Sequence, residues 1–387
     1  MSQARSKSQS ASNAMTSSDT PSPLLGGISP AAFMRRFWQK KPFLIRQAVP
    51  GFAPLLPRSQ LFDLAGREGV ESRLIVHGEK GWSLKHGPFG RRSMPPLSRP
   101  KWTLLVQGVD LHDDRVHALM QQFRFVPDAR LDDIMISWAS EGGGVGPHFD
   151  SYDVFLLQAQ GRRRWRIGRQ KDKTLQANVP LRILQNFEPE QEHLLEPGDM
   201  LYLPPGWAHD GVADGGECMT YSIGFRVPQR GGLAGELLHR VADELEDETL
   251  YRDPDQDATT TPARVPAKLQ GFARESIEKM LADSRSIACA LGEVMTEPKP
   301  GVWFDASDAE WVDGMGVRLD RKTRMMYDDH HVFINGDSYR AAGADVRLMR
   351  QLADDRHVPA TAMKRASSDA QALMKDWFEA GWLHQGA

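Results

Sequence analysis

Between about residues 28 and 227, apolar positions come in short runs cut by Gly and Pro. The runs at 73–77, 102–107, 134–138, 154–158, 164–168, 200–203 and 219–227 are of strand length. With turn residues between them, they predict a β-sandwich or barrel. Ser29-Pro30 predicts a helix start leading into 31–39, and Lys41-Pro42 ends that helix and opens a short strand. The period changes at Pro228. Residues 235–250 place Leu237, Leu238, Val241 and Leu245 at helical spacing, with a dense acidic face over 243–248, and 269–294 is a second helical run. Beyond a break at 298–301, short strands are expected over 317–319, 324–327 and 331–334, with Asn335-Gly336 as a tight turn. Helices are expected over 345–352 and 367–380, and the mixture suits a small winged-helix-like module. The expected organisation is a disordered tail over 1–24, a β domain over 25–228, a helical region over 229–300 and a C-terminal module over 301–387.

Composition narrows the class. Lys and Arg number 48 against 51 Asp and Glu, a net charge of −3, which excludes a globally basic nucleic-acid coat. No apolar run reaches the roughly 18–20 residues of a membrane span. Cys218 and Cys289 are the only cysteines, so a disulfide framework and a cysteine zinc site are both excluded. A reducing compartment follows, and a cytoplasmic location is expected. The first residues, rich in Ser, Gln, Ala and Asn, lack the apolar content to form a core.

Composition alone produces His-x-acid triplets by chance, so context has to decide what His112-Asp113-Asp114 and His148-Phe149-Asp150 mean. The first opens a polar stretch whose acids suit the first turn of a helix. The second follows a run of glycines, Gly142-Gly143-Gly144-Val145-Gly146-Pro147, and precedes the apolar Val154-Phe155-Leu156-Leu157. If His148 begins an extended segment, His148, Asp150 and Tyr152 share a face. His209 supplies a third candidate, directly after an apolar strand and the turn Pro204-Pro205-Gly206. Taken alone, His209 reads equally well as a structural histidine. Two histidines and a carboxylate make the facial triad of non-haem Fe(II) oxygenases.

The block Gly161-Arg162-Arg163-Arg164-Trp165-Arg166-Ile167-Gly168 adds an anchor. Alternation puts Arg163 with Trp165 and Ile167, on the face expected to point inward. A buried guanidinium needs an anion, and a bidentate carboxylate suits it; the distal carboxylate of 2-oxoglutarate would serve. The opposite face, with Lys171 and Lys173 beyond it, is expected to present exposed positive charge. In Asp132-Asp133-Ile134-Met135-Ile136-Ser137, alternation groups Asp133, Met135 and Ser137. Ser137 would donate to the co-substrate carboxylate. Asp133 would hold a cationic substrate side chain, with Met135 and Tyr152 along its aliphatic part. The alternative is that Asp132 and Asp133 are solvated loop acids.

With these pieces assembled, residues 137–168 resemble a JmjC-type 2-oxoglutarate oxygenase. The resemblance is nearest to the bacterial ribosomal oxygenases that hydroxylate an arginine of a large-subunit ribosomal protein. Trp38-Gln39-Lys40-Lys41-Pro42, Ser72-Arg73-Leu74, His86-Gly87-Pro88-Phe89, Glu196-Pro197-Gly198-Asp199 and Tyr221-Ser222-Ile223-Gly224-Phe225-Arg226 match as well. The resemblance implies a mainly β fold with helical additions: a double-stranded β-helix (cupin-like jelly roll), a helical dimerisation region and a C-terminal winged-helix module. It implies Fe(II) held by His148, Asp150 and His209, and 2-oxoglutarate held by Arg163 and Ser137. Dioxygen is the other co-substrate, and Asp133, Met135 and Tyr152 lie near the substrate arginine. The implied partners are a large-subunit ribosomal protein and a second copy of the chain, with no membrane and no direct DNA contact. Rival readings are the same chemistry on histidine or methyl-lysine, a zinc-dependent cupin enzyme, and a cupin sensor with a nucleic-acid-binding C-terminal module. Against the last, residues 367–380 carry Lys375 as their one basic residue, beside Asp369, Asp376 and Glu379.

Overall fold

The computed structural model describes residues 18–340 and 342–386. The chain divides between Val227 and Pro228 into two compact units.

The strands of the first unit are β1 (Phe43–Ile45), β2 (Ser72–Gly78), β3 (Gly81–His86), β4 (Trp102–Val106), β5 (Leu131–Ala139), β6 (His148–Phe149), β7 (Val154–Gln160), β8 (Arg163–Arg169), β9 (Gln191–Leu195), β10 (Met200–Leu203), β11 (Trp207–Ala213) and β12 (Cys218–Phe225). They form an eight-stranded sheet in the order β1-β10-β7-β12-β5-β4-β2-β3 and a four-stranded sheet in the order β6-β11-β8-β9. Alternation assigns the faces of the large sheet. Ile134, Ile136, Trp138, Phe155, Leu157 and Tyr202 pack in one core with Phe33 of α1 (Pro30–Arg36), Leu61 of α2 (Arg58–Leu64) and Val116 of α3 (Asp114–Gln121). The odd-even partners Val154, Leu156, Leu201 and Leu203 pack instead on Trp165, Ile167 and Leu195 of the small sheet. Strands covered on both faces read as unbroken apolar runs, which is why 154–158 and 200–203 stand out in the sequence. β3, β9 and β11 are missed by the same criterion. β3 and β9 carry few apolar residues and are edge strands defined by a neighbour's hydrogen bonds, and in β11 the run His209-Asp210-Gly211 interrupts the apolar pattern.

Local chemistry sets the helix starts. The Ser29 side chain accepts from the Ala32 N–H, and Asp113 accepts from Arg115 and Val116, as its place in a first turn predicts. The expected tail extends too far: residues 1–17 lie outside the described residues, but Leu24 and Leu25 are buried in the first core. Order begins before Ile28 because two leucines have a core to enter.

The second unit contains α4 (Arg230–Asp243), α5 (Ala267–Leu281), α6 (Ser284–Thr296), β13 (Val317–Leu319), β14 (Met325–Tyr327), β15 (His331–Ile334), β16 (Asp337–Arg340), α7 (Gly343–Asp355), β17 (His357–Val358), α8 (Ala360–Met363), α9 (Ser368–Glu379) and β18 (Leu383–Gln385). Val317, Ile334, Leu352, Met374 and Trp377 centre its core. Asn335 and Gly336, both at positive φ, make the β15–β16 turn. Two helix expectations need correction. The helix expected over 235–250 stops at Asp243, because the five acids from Asp243 to Glu248 would crowd a helix C-terminus, where the dipole favours cations. The run over 269–294 is two helices: Asp283 breaks it and caps α6 by accepting from the Arg285 N–H at 2.9 Å.

Leu25 is fully buried. Leu25→Ala is expected to cost about 2–5 kcal/mol, read as a lower urea midpoint with an unchanged slope.

Candidate metal centre

The centre forms where β11 pairs with β6. His209 and His148 face each other across this ladder, ring centroids 4.3 Å apart. The extended segment expected after His148 is only two residues long, and Asp150 lies just beyond it in irregular backbone, before a bend at Ser151 and Tyr152. The Asp150 carbonyl accepts from the Gly206 N–H at 2.8 Å, tying this residue to the turn before β11. One donor atom each from His148, Asp150 and His209 lies within 4.8 Å of the others. Both imidazoles are oriented through Nδ1: His148 Nδ1 lies 2.9 Å from the Gly146 carbonyl, and His209 Nδ1 lies 3.1 Å from that of Trp207. Each Nδ1 is then the N–H donor, and each Nε2 keeps a lone pair for a cation. His209 Nε2 is 3.6 Å from the Asp150 carboxylate. The donor set of two neutral imidazoles and one carboxylate fits a divalent first-row metal with open positions.

Arg163 occupies the next part of the small sheet. β11, not β6, is the neighbour of β8, so His209 lies on the strand between His148 and Arg163. The Arg163 side chain is 3 % exposed. Its Nη1 donates to Ser137 Oγ and its Nη2 to the Gly211 carbonyl, both at 3.1 Å. It stacks 5.0 Å from the Trp165 ring. Its Nε is buried and makes no hydrogen bond. A side chain at Gly211 would meet the Trp165 ring at 2.5 Å and Arg163 Nε at 2.8 Å, so this guanidinium lies where it does because residue 211 is glycine. No carboxylate pairs with Arg163 among the described residues; its partners are the Ser137 hydroxyl, the Gly211 carbonyl and the nearby Cys218 thiol, and the guanidinium fits an incoming carboxylate.

Asp133, Met135 and Ser137 follow one another along β5, as alternation predicts. Asp133 is not a solvated acid: it is 2 % exposed, and Gln107 Nε2 donates to both its oxygens at 2.9 Å. Gln107 Oε1 accepts from Arg73 Nη2 at 3.0 Å, and the same nitrogen lies 3.7 Å from Met135 Sδ. Tyr152 hydrogen-bonds to Asp150 and feels the charges of Arg73 and Asp133; desolvation, then the Asp150 carboxylate, raises its pKa well above the ordinary value. Gln107, Arg73, Trp165 and Gly211 are absent from the sequence-derived set. Gln107 sits at the end of a predicted strand with nothing local to mark it, and Arg73 lies in the family-like Ser72-Arg73-Leu74, which by itself assigns it no role.

The exposed face of β8 is not free positive charge. Arg164 pairs with Glu192 and Asp214, Arg166 with Asp210 and Arg169 with Glu190. The acids come from β9, β11 and flanking loops, which the linear sequence does not place opposite the arginines.

Burial first, then the nearby His148, lowers the His209 pKa from 6.5 to about 4. Between those values the unfolded chain binds a proton that the folded metal-free protein does not. Stability is therefore lost as pH falls from about 6.5 towards about 4. Urea denaturation of chelator-treated protein above and within that window is expected to show the fall, and His209→Gln to remove this component.

A JmjC-domain family model matches residues 118–233, and a ROXA-like winged-helix model matches residues 279–384. The ribosomal protein uL16 3-hydroxylase of Escherichia coli (strain K12) is 37 % identical over 268 residues, 69 % of this chain and 71 % of that protein. The X-ray structure of E. coli ycfD superposes with a TM-score of 0.81 at 29 % identity, covering 92 % of this chain and 98 % of that one. A further structure of that ribosomal oxygenase, in complex with cobalt and 2-oxoglutarate, gives 0.78 over the same coverage. The jelly-roll unit, the winged-helix module and this degree of identity agree: the chain belongs to the JmjC-type ribosomal oxygenases.

Proposed function

We propose that this chain is an Fe(II)- and 2-oxoglutarate-dependent hydroxylase of an arginine side chain in a large-subunit ribosomal protein. The observation that carries the reading is Arg163, a buried guanidinium without a carboxylate partner among the described residues, one strand from a histidine poised to bind metal. His148 and His209, through Nε2, and the Asp150 carboxylate would hold the ion. His209 and Gly211 share a face of β11 and stand two residues apart, about 7 Å along a strand. That spacing suits a short dicarboxylate held by the metal at one end and by Arg163 and Ser137 Oγ at the other. Bound iron, with 2-oxoglutarate and dioxygen, supplies the oxidising power to hydroxylate an unactivated carbon.

The chain's own residues provide position and dryness. Trp165 walls the anchor, and the Gly211 backbone closes in on it. Asp133 would take the substrate guanidinium and Met135 its aliphatic stem, so that carbon rather than charge faces the metal. Tyr152, a neutral phenol 39 % exposed, would stand at the entrance as a hydrogen-bonding wall. An acidic holder favours a cationic target over histidine. The name of the E. coli relative points to uL16, a target met in the cytoplasm. No helix among the described residues is long and apolar enough to cross a membrane. In the C-terminal module, Lys375 lies 3.6 Å from Glu379, which disfavours a phosphate-binding role for α9.

Anaerobic titration of the metal-free protein with Fe(II) and 2-oxoglutarate tests the class. A weak visible charge-transfer band is expected, absent in His148→Ala and strongly weakened in Arg163→Ala. Mass spectrometry should then find one added oxygen on the ribosomal target. No band in the iron-loaded wild type would end the oxygenase reading.

Residues 229–300 we read as the dimerisation region. α5 buries none of its residues within the chain, and Leu269, Ile277 and Leu281 remain exposed on it. Sedimentation is expected to show a dimer, converted to monomer by Ile277→Asp. A monomeric wild type would sink this reading.

A further inference from the structure

The structure joins Arg73 to Asp133 through the side-chain amide of Gln107. A glutamine has one acceptor end and one donor end, and here each has a partner of matching polarity. The Arg73 guanidinium donates to Oε1 at 3.0 Å, and Nε2 donates to both oxygens of Asp133 at 2.9 Å. Only this orientation of the amide satisfies both neighbours, since the reverse would set an NH2 against a guanidinium and a carbonyl against a carboxylate. Arg73 is two-thirds buried and lies beside Met135 Sδ and close enough to Tyr152 to influence its hydroxyl. A guanidinium of the chain itself therefore stands within one side chain of the carboxylate assigned to the substrate.

We infer that Gln107 is a specificity-determining spacer. It holds the Asp133 carboxylate with a neutral donor and keeps Arg73 from closing on it as a direct ion pair. The inference rests on the reading of Asp133 as the holder of a cationic substrate side chain. A direct Arg73–Asp133 pair would be an internal mimic of the substrate contact. It would form on the same carboxylate, in partly desolvated surroundings where charge-assisted bonds are strong, and it would compete with the incoming cation. The neutral amide fixes the carboxylate without adding a counter-charge of its own. Arg73 is itself occupied by Gln107 and, at 3.7 Å, by Glu71, which draws it towards the other side. Gln107 is thus a positioning residue, and the property it protects is the affinity for a cationic side chain.

The test is steady-state kinetics on an arginine-bearing ribosomal peptide, with the iron-loaded full-length chain and the Fe(II)–2-oxoglutarate band as the control for an intact centre. Gln107→Met keeps the length and removes both polar ends. Its KM for the peptide is expected to rise about tenfold while the band and the 2-oxoglutarate affinity stay as in wild type. Adding Arg73→Met to that variant is expected to recover most of the loss, because the competing guanidinium has gone. A merely structural glutamine would show no such recovery. Arg73→Met alone is expected to give a KM no higher than wild type, and this variant decides the matter if Gln107→Met does not fold. An unchanged KM in Gln107→Met, a double variant no better than the single, or a tenfold rise in Arg73→Met alone would each overturn the inference. Asp133→Asn separates this from the underlying reading. If it leaves the KM unchanged, Asp133 does not hold the substrate and the functional reading of that residue fails first.

Discussion

The ladder in which β11 pairs with β6 on one side and β8 on the other governs the whole centre. One strand presents His209 to His148 across the β6 ladder, and two residues later it presents the Gly211 carbonyl to Arg163 across from β8. The distance between metal ligands and anion anchor is therefore a backbone repeat, not a product of flexible side chains. Sites carried on paired strands hold their geometry better than sites on loops. The exception is Asp150, which lies outside the strands, and the hydrogen bond from Gly206 ties its backbone to the start of β11.

Burial gives the centre its electrostatics. His209 is kept neutral, so its lone pair is available to a cation near neutral pH. The Arg163 guanidinium is buried without a carboxylate partner among the described residues, an arrangement that costs folding energy unless an anion arrives. Two adjacent sites thus want opposite charges, and a metal chelated by a dicarboxylate meets both demands. Asp133 follows a related logic at the other end of β5: a buried carboxylate is fixed by a neutral amide.

The second unit obeys simpler rules. Its strands are short, its turn at Asn335-Gly336 is local, and its last helix starts at a serine cap. Such features are written within a few residues and survive a change of surroundings. The acidic run after α4 shows the opposite lesson. Helical spacing alone extends the helix over 235–250, and the accumulation of like charge at its C-terminus ends it at Asp243.

By itself the sequence determines the residue types and their period. Unbroken apolar runs mark β7 and β10, alternation groups Asp133, Met135 and Ser137 on one face, and the glycine run marks a loop before His148. It also determines that Arg163 shares a face with Trp165, since period two is a property of any extended chain. What it cannot determine is which strands are neighbours. β11 has its apolar pattern interrupted by His209-Asp210-Gly211 and becomes a strand because β6 and β8 flank it. Gln107 and Arg73 reach Asp133 only because β4 lies between β2 and β5. The acids that neutralise the outer face of β8 come from β9, β11 and the segments flanking them. Non-local pairing is decided by the burial and hydrogen bonding of the assembled sheets, and no local signal encodes it.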